Sequence, residues 1–275
     1  MSPPILAAAP VLAILRALIE ERTGLSYGTH DYDNLLERAG TRAAEAGFDS
    51  LLDYYYYLRY DAASGPEFDK LIDALVVNET YFFREYEQLR VIFTEFIQAA
   101  IARGRRPRIW SAACATGEEP LTLAMLLADQ GLLQNVEIVA SDISPRALER
   151  AQSGRYSRRA VRDLPDPLLA RRWIKEEPDG THTLARELIN AVSWRRVNLS
   201  VDAEVAALGI FDVVLCRNVM IYFSDETSTQ VVGSLTRRLT PNGALFVGIS
   251  ESLMRFGTSL VCEERNRVFF YRRAD

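Results

Sequence analysis

Two adjacent carboxylates, Glu118 and Glu119, close a run of small residues, Ala113, Cys114, Ala115, Thr116 and Gly117, that itself follows the apolar segment from Ile109 to Ala112. A short buried strand that breaks into such a loop and opens a helix is the nucleotide-binding corner of a Rossmann-like α/β sheet. Ala113, Ala115 and Gly117 stand where a dinucleotide fingerprint places glycines, and the acids at the helix start would repel a pyrophosphate. Helix N-termini welcome anions, so a carboxylate pair already seated there favours a ligand that carries positive charge, such as the sulfonium and ammonium of S-adenosylmethionine. The alternative is an ordinary strand-to-helix turn whose acids complement the helix dipole.

Other polar residues fall where strands of such a sheet would end, which is where open α/β sheets bind ligands. Asp142, after the second strand, can take both ribose hydroxyls; capping of the next helix by Asp142 or Ser144 is the competing role. Asn198, with Leu199, offers a donor and an acceptor to an adenine edge. Arg217 and Asn218 follow a later apolar strand, with Tyr222 slightly beyond. Outside the sheet, Asn78 to Glu85 combines polar residues with Phe82 and Phe83. This junction reads as a lid that brings Arg84 to the reacting group, or else as a helix start capped by Asn78 or Thr80 with its phenylalanines in the core.

Positioning these residues requires a sheet and a partner domain. Helical periodicity with breaks at Gly24, Gly40, Gly47 and Ser64-Gly65-Pro66 predicts an N-terminal helical domain over 1–76, with Leu12, Leu15, Leu18 and Ile19 on one face of its first helix. A junction and one long helix over Phe82–Ala102 occupy 77–106. The catalytic domain then spans 107–275, with predicted strands at Arg108–Ala112, Val136–Ser141, Phe211–Cys216 and Ala244–Ile249 and a closing hairpin from about Leu260. Predicted helices cover Glu118–Gln130, Pro145–Ser153 and Thr227–Leu239. Residues 154–197 break the rhythm as a small antiparallel β insertion, with strands at His182–Leu184 and Ala191–Arg196.

Composition excludes several classes. A net charge of −5 argues against a nucleic-acid binder. The tyrosine run Tyr54–Tyr57 lies in an acidic helical region and reads as helix packing. Cys114, Cys216 and Cys262 are far apart and imply neither a zinc site nor a disulfide framework, consistent with a reducing cytoplasm. With only His30 and His182, little remains for metal ligation or a Ser-His-Asp triad. The apolar run from Ile5 to Leu15 lacks a basic flank and a cleavage site, and no membrane span is expected.

The segments NETYFFRE, WSAACATGEEPLTLAM, VASDIS, RRVNLS, DVVLCRNVMIYF and LTPNGALFVGISESL resemble, in order and spacing, the chemotaxis receptor methyltransferase (CheR) family over nearly the whole chain. The resemblance implies a class I methyltransferase fold and a protein-glutamate O-methyltransferase that uses S-adenosylmethionine, releases S-adenosylhomocysteine and needs no metal. Its partner would be the cytoplasmic helical region of a chemoreceptor or related signalling protein. Matching positions place donor contacts on Asn78, Thr80, Arg84, Glu118, Asp142, Asn198, Leu199, Arg217 and Asn218, with Glu119 a rival to Glu118. Arg84 and Tyr222 would orient the substrate carboxylate.

The chain also departs from the family pattern. Ala113, Ala115 and Leu121 replace a glycine, a serine and a tyrosine. The insertion has one glycine and adjacent acids between Lys175 and Thr181 where some members bind a receptor peptide through a glycine-rich loop, which argues against peptide tethering. The helical domain, basic in the family's docking role, has about twice as many acids as bases, leaving Arg38 and Arg42 as a candidate basic strip. The rival functions are the same reaction on another signalling protein and a donor-binding regulator that has lost transfer.

Overall fold

The computed structural model describes residues 9–28 and 31–274, so Ile5 and His30 lie outside the described residues. Among the described residues four α-helices come first: α1 (Ala9–Thr23), α2 (Tyr32–Glu45), α3 (Leu51–Tyr60) and α4 (Gly65–Leu75). Their core gathers Leu12, Leu15, Leu18 and Ile19 from α1 against Leu35, Leu58 and Leu71, which matches the predicted apolar face. Ser50 caps α3 by accepting from Asp53 N, and Pro66 pre-sets the first turn of α4. Gly40, predicted as a break, sits buried within α2; one interior glycine costs only about 1 kcal/mol, which the packed face offsets. Tyr54 faces the core and Tyr56 faces solvent. The Tyr54 hydroxyl donates to Glu67 Oε1 at 3.0 Å, and Arg42 holds the same carboxylate through Nε at 2.6 Å and Nη2 at 3.1 Å.

The helix expected over Phe82–Ala102 starts only at Tyr86. Phe83 and Glu85 adopt left-handed φ values of 64° and 51°, which no α-helix accommodates. From there α5 (Tyr86–Val91) passes into a π-helical stretch, Ile92–Gln98, and on into α6 (Ala99–Ala102). The wider turn accompanies edge-on packing of Phe96 against Phe246 and Phe270, at 5.7 Å and 5.4 Å between ring centres.

The α/β region follows as β1 (Arg108–Ala112), α7 (Glu118–Asp129), β2 (Glu137–Asp142), α8 (Pro145–Ser153), β3 (Arg155–Tyr156), α9 (Pro167–Trp173), β4 (Ile174–Glu176), β5 (His182–Leu184), α10 (Arg186–Asn190), β6 (Val192–Arg196), α11 (Asp202–Ala207), β7 (Phe211–Cys216), α12 (Asp225–Arg237), β8 (Leu239–Phe246), β9 (Val261–Arg265) and β10 (Val268–Arg272). The main sheet has seven strands in the order β6-β2-β1-β7-β8-β10-β9. The first five run parallel, β10 pairs antiparallel to β8, and β9 pairs antiparallel to β10. From β1 the chain fills one side with β2 and β6 and the other with β7 and β8, so the crevice outside the carboxyl end of β1 is the topological switch point.

Two expected strands are corrected. The segment read at Ala191–Arg196 is not part of the insertion's antiparallel sheet; β6 is the parallel edge strand beside β2. The insertion's own sheet is β3-β5-β4, antiparallel throughout. The strand expected at Ala244–Ile249 begins earlier and ends at Phe246, because the Pro241-Asn242-Gly243 turn is absorbed as an irregularity in its pairing with β7. Among the described residues, no helix is long and apolar enough to cross a membrane.

The helical unit sits across the carboxyl ends of the parallel strands. Ser26 N donates to Tyr222 O at 2.8 Å, Leu25 forms an isolated bridge with Phe223, and Asn198 Nδ2 donates to Arg22 O at 2.7 Å. Arg196 pairs with Asp69, and Ser144 Oγ donates to Asp73 at 2.6 Å.

Candidate active site

A cavity of about 360 Å³ lies between the helical unit and the strand ends. It is lined by Asn78, Thr80, Arg84, Asp142, Asn198, Leu199, Arg217, Asn218 and Tyr222, so nine of the ten predicted site residues converge on one space. Glu118 is the one predicted site residue outside that lining; Glu119 is there in its place.

The β1–α7 loop explains the exchange. Ala113 and Ala115 adopt φ values of 54° and 49°, and Gly117 one of 88°, so the turn keeps a glycine-type backbone without two of the glycines. A Cβ on Gly117 would lie 2.7 Å from Ala151 Cβ and 2.8 Å from Trp194, so the third position has no room for one. The turn sends Glu118 inward, where Thr116 Oγ1 lies 2.9 Å and 2.7 Å from its two carboxylate oxygens. Burial pushes the Glu118 pKa up, opposed by the Thr116 hydrogen bond. Glu119 instead accepts from Ser111 Oγ and from Arg217 Nη1 at 2.8 Å.

Asp142 accepts from Ala115 N at 2.8 Å on one oxygen and from Ser144 N at 2.9 Å on the other. Ser144, not Asp142, caps α8, accepting from Ala147 N at 3.0 Å. Burial pushes the Asp142 pKa above its ordinary range, and the backbone N–H bonds oppose that rise.

Asn198 lines the cavity, but its carboxamide is largely engaged. Its Oδ1 accepts from Ser200 N at 3.0 Å and Ser200 Oγ at 2.7 Å, and its Nδ2 donates to Arg22 O. The expected two-sided adenine contact therefore does not fit this side chain; Asn198 shapes the loop that carries Leu199 and ties it to α1.

At the end of β7, Arg217 is held between two acids, with Nη2 3.0 Å from Glu85 and Nη1 2.8 Å from Glu119, and it also donates to Arg84 O at 2.8 Å. Asn218 takes a left-handed φ of 57° and donates through its backbone N to Glu251 Oε2 at 2.7 Å. The same Glu251 carboxylate receives Met220 N and Gly248 N. Glu85 and Glu251 were not singled out from the sequence, although they sit within the NETYFFRE and GISESL segments.

Neither Asn78 nor Thr80 caps the following helix, which begins after Glu85. Phe82 and Phe83 are buried core residues, so the packing alternative holds for them while Asn78, Glu79, Thr80 and Arg84 of the segment line the cavity. Arg84 donates to Glu79 O at 2.9 Å and lies 4.0 Å from Glu85. Burial raises the Tyr222 pKa and nearby Arg84 opposes it, so the phenol stays a neutral donor at physiological pH.

The helical unit supplies a wall that the sequence did not announce, from Tyr27, Asp31, Asn34 and Arg38. Burial pushes the Tyr27 hydroxyl up to about 12. The candidate basic strip is not there as a free surface. Arg38 turns to the C-terminus of α4, donating to Ala74 O at 3.2 Å and Leu75 O at 3.1 Å, while Arg42 is fixed on Glu67. His182 lies on β5 and does not line the cavity.

Residues 78–268 match the family model of the CheR methyltransferase SAM binding domain, and residues 11–76 that of the CheR methyltransferase all-alpha domain. Chemotaxis protein methyltransferase 2 of Vibrio cholerae is 39% identical over 214 residues, covering 76% of this chain and 74% of that protein. The chemotaxis protein methyltransferase of Escherichia coli is 34% identical over 239 residues, covering 86% and 82%. The probable biofilm formation methyltransferase WspC of Pseudomonas aeruginosa is 37% identical over 243 residues, covering 86% of this chain and 55% of that protein. With both of its units matched and this cavity between them, the chain belongs to the CheR methyltransferase family, the S-adenosylmethionine-dependent methyltransferases of chemotaxis.

Proposed function

We propose that this protein works in the cytoplasm and transfers the methyl group of S-adenosylmethionine to glutamate carboxylates on the helical region of a chemoreceptor or related signalling protein, forming methyl esters. One observation carries the reading. Arg84 and Tyr222, both partly exposed, line the same cavity as the buried Asp142 and the acid Glu119. A carboxylate arriving from solvent therefore meets a guanidinium and a phenol beside acids suited to a cationic donor.

The cavity fits that donor in size and chemistry. About 360 Å³ is within the range of small-molecule sites, and Leu25, Ile143, Leu199 and Val219 give it apolar walls. S-adenosylmethionine supplies an electrophilic methyl group on a positively charged sulfur. Each Asp142 oxygen accepts one backbone N–H and keeps a lone pair for a ribose hydroxyl. Among the charged residues that line the cavity, four acids, Asp31, Glu79, Glu119 and Asp142, face three arginines, Arg38, Arg84 and Arg217, which leaves the wall net negative. Asn78, Thr80, Arg84, Leu199, Arg217 and Asn218 complete the proposed donor contacts, with Glu119 taking the place of Glu118.

A glutamate side chain with a reference pKa of ~4.3 is already ionised at neutral pH, so no general base is needed. The protein's task is alignment and exclusion of water, and alignment can supply up to ~7–11 kcal/mol. Arg84, already bonded to Glu79 O and close to the Glu85 charge, would hold the carboxylate without quenching its nucleophilicity. Tyr222 would donate from the other side. Peptide tethering is no part of this reading: the β4–β5 loop closes on itself, Glu177 N donating to Thr181 O at 2.8 Å and Thr181 N to Asp179 Oδ1 at 3.0 Å.

A second reading keeps the chemistry and changes the pathway. The likeness to WspC, together with arginines turned inward on the helical unit, favours a receptor-like protein outside flagellar chemotaxis. The test is incubation with methyl-labelled S-adenosylmethionine and membranes that hold the native receptor set. Base-labile label on a receptor band is expected, and the band's identity decides the pathway. Donor binding without any base-labile label would contradict the esterification reading and favour a regulator.

A further inference from the structure

The segment that carries Asn78, Thr80 and Arg84 is fastened to the β insertion. Glu79 Oε2 lies 2.8 Å from Arg159 Nη2, and Glu79 Oε1 lies 3.0 Å from Arg162 Nη2. Arg162 also places its guanidinium 3.9 Å from the centre of the Tyr81 ring and donates to Arg159 O at 3.1 Å, which holds the two arginines together. Beneath this clasp, Phe82 N donates to Ala160 O at 2.8 Å, and the Phe82 and Tyr156 rings meet edge-on at 4.8 Å. The buried Tyr156 hydroxyl in turn donates to Thr116 O at 2.9 Å, within the loop that sets Ala115 and Glu119. One turn of the insertion, residues 156–162, therefore holds both the junction segment and the β1–α7 loop.

We propose that Arg159 and Arg162 are positioning residues for donor binding, acting through Glu79. The route is short. Glu79 flanks Asn78 and Thr80 in sequence, and its carbonyl accepts the Arg84 guanidinium at 2.9 Å. Clasping the Glu79 side chain, itself part of the cavity lining, restricts the backbone that presents Asn78, Thr80 and Arg84. Without the clasp, that segment must be ordered when the donor binds, and affinity falls by the cost of ordering it. Because the clasp is made of exposed ion pairs, its effect is modest and weakens with salt. It also makes the insertion a route by which a protein docked on these arginines would alter donor affinity.

The inference rests on the cavity being the donor site, and titration of the full-length protein with S-adenosylmethionine separates the two ideas. Glu79→Gln, and Arg159→Gln combined with Arg162→Gln, are each expected to weaken donor binding by about three- to tenfold at low ionic strength, the scale of two exposed ion pairs. The gap to wild type should close at high salt. Arg159→Lys combined with Arg162→Lys, which keeps both charges opposite Glu79, should retain most of the affinity, and Arg158→Gln, at an exposed neighbour, should match wild type. Wild-type binding with Glu79→Gln unchanged would overturn the clasp alone. So would a loss that ignores salt and is equally large in the lysine pair, since that marks a defect unrelated to the ion pairs. Absence of binding by the wild type would overturn the donor site and the clasp with it.

Discussion

Gly248 does not line the cavity between the two units, yet its missing side chain is what lets Asn218 and Glu251 meet. A Cβ there would lie 2.4 Å from Asn218 Nδ2 and 2.9 Å from Glu251 Oε2, while Gly248 N donates to that same oxygen at 2.8 Å. Gly248→Ala must therefore displace Asn218 or break the carboxylate that fixes the left-handed turn at residue 218. An ångström of misplacement near a reacting group can slow a reaction by about 10²-fold. Methyl transfer is expected to fall on that scale while the circular dichroism spectrum stays native; transfer at the wild-type rate would contradict the role assigned to Glu251. Glu85 is the matching hub on the junction side, reaching Arg217, Asn218 and Ile249 N from a left-handed backbone that its neighbours over-determine.

The β1–α7 loop holds its conformation at a cost that is visible in its sequence. Left-handed alanine costs about 1–2 kcal/mol, and glycine would relieve that while adding about 0.5–1 kcal/mol of unfolded-state entropy. Ala115→Gly is thus expected to raise stability by up to about 1.5 kcal/mol, whereas Gly117→Ala, which must clash with Ala151 and Trp194, should lower it; denaturant midpoints of the two variants read the difference. A destabilised Ala115→Gly would contradict the strain argument. Elements of this kind were legible in unequal degree. Strands β1 and β7 and helix α8 match their predicted bounds, because central parallel strands are continuous apolar runs and Ser144-Pro145 and Gly154 mark both ends of the helix. Strand β6 was found but given the wrong neighbour, since alternation records a half-buried face and not the strand beside it. The delayed start of α5 and its π-helical continuation come from tertiary contacts of Phe83, Glu85 and Phe96, which periodicity does not encode.

Across the whole molecule, the cavity exists because the helical unit is seated over the sheet. Strand-end residues could be picked out because open α/β sheets bind ligands at one edge, and the motifs fix where each strand stops. Tyr27, Asp31, Asn34 and Arg38 could not, because no spacing rule links α2 and its approach to strands more than seventy residues later. A ligand held between both units binds only the assembled molecule and stabilises it as one, by about 2.7 kcal/mol at a hundredfold excess over its dissociation constant. The most direct measurement is calorimetric titration of the intact protein with S-adenosylmethionine, for wild type, Asp142→Asn and Glu118→Gln. The structure predicts saturable binding by wild type, a loss of about tenfold or more in Asp142→Asn, where a cavity-facing carboxylate is removed, and near-native affinity in Glu118→Gln, whose side chain is turned away. No binding by wild type, or a Glu118→Gln defect larger than that of Asp142→Asn, would contradict the placement of the donor in this cavity.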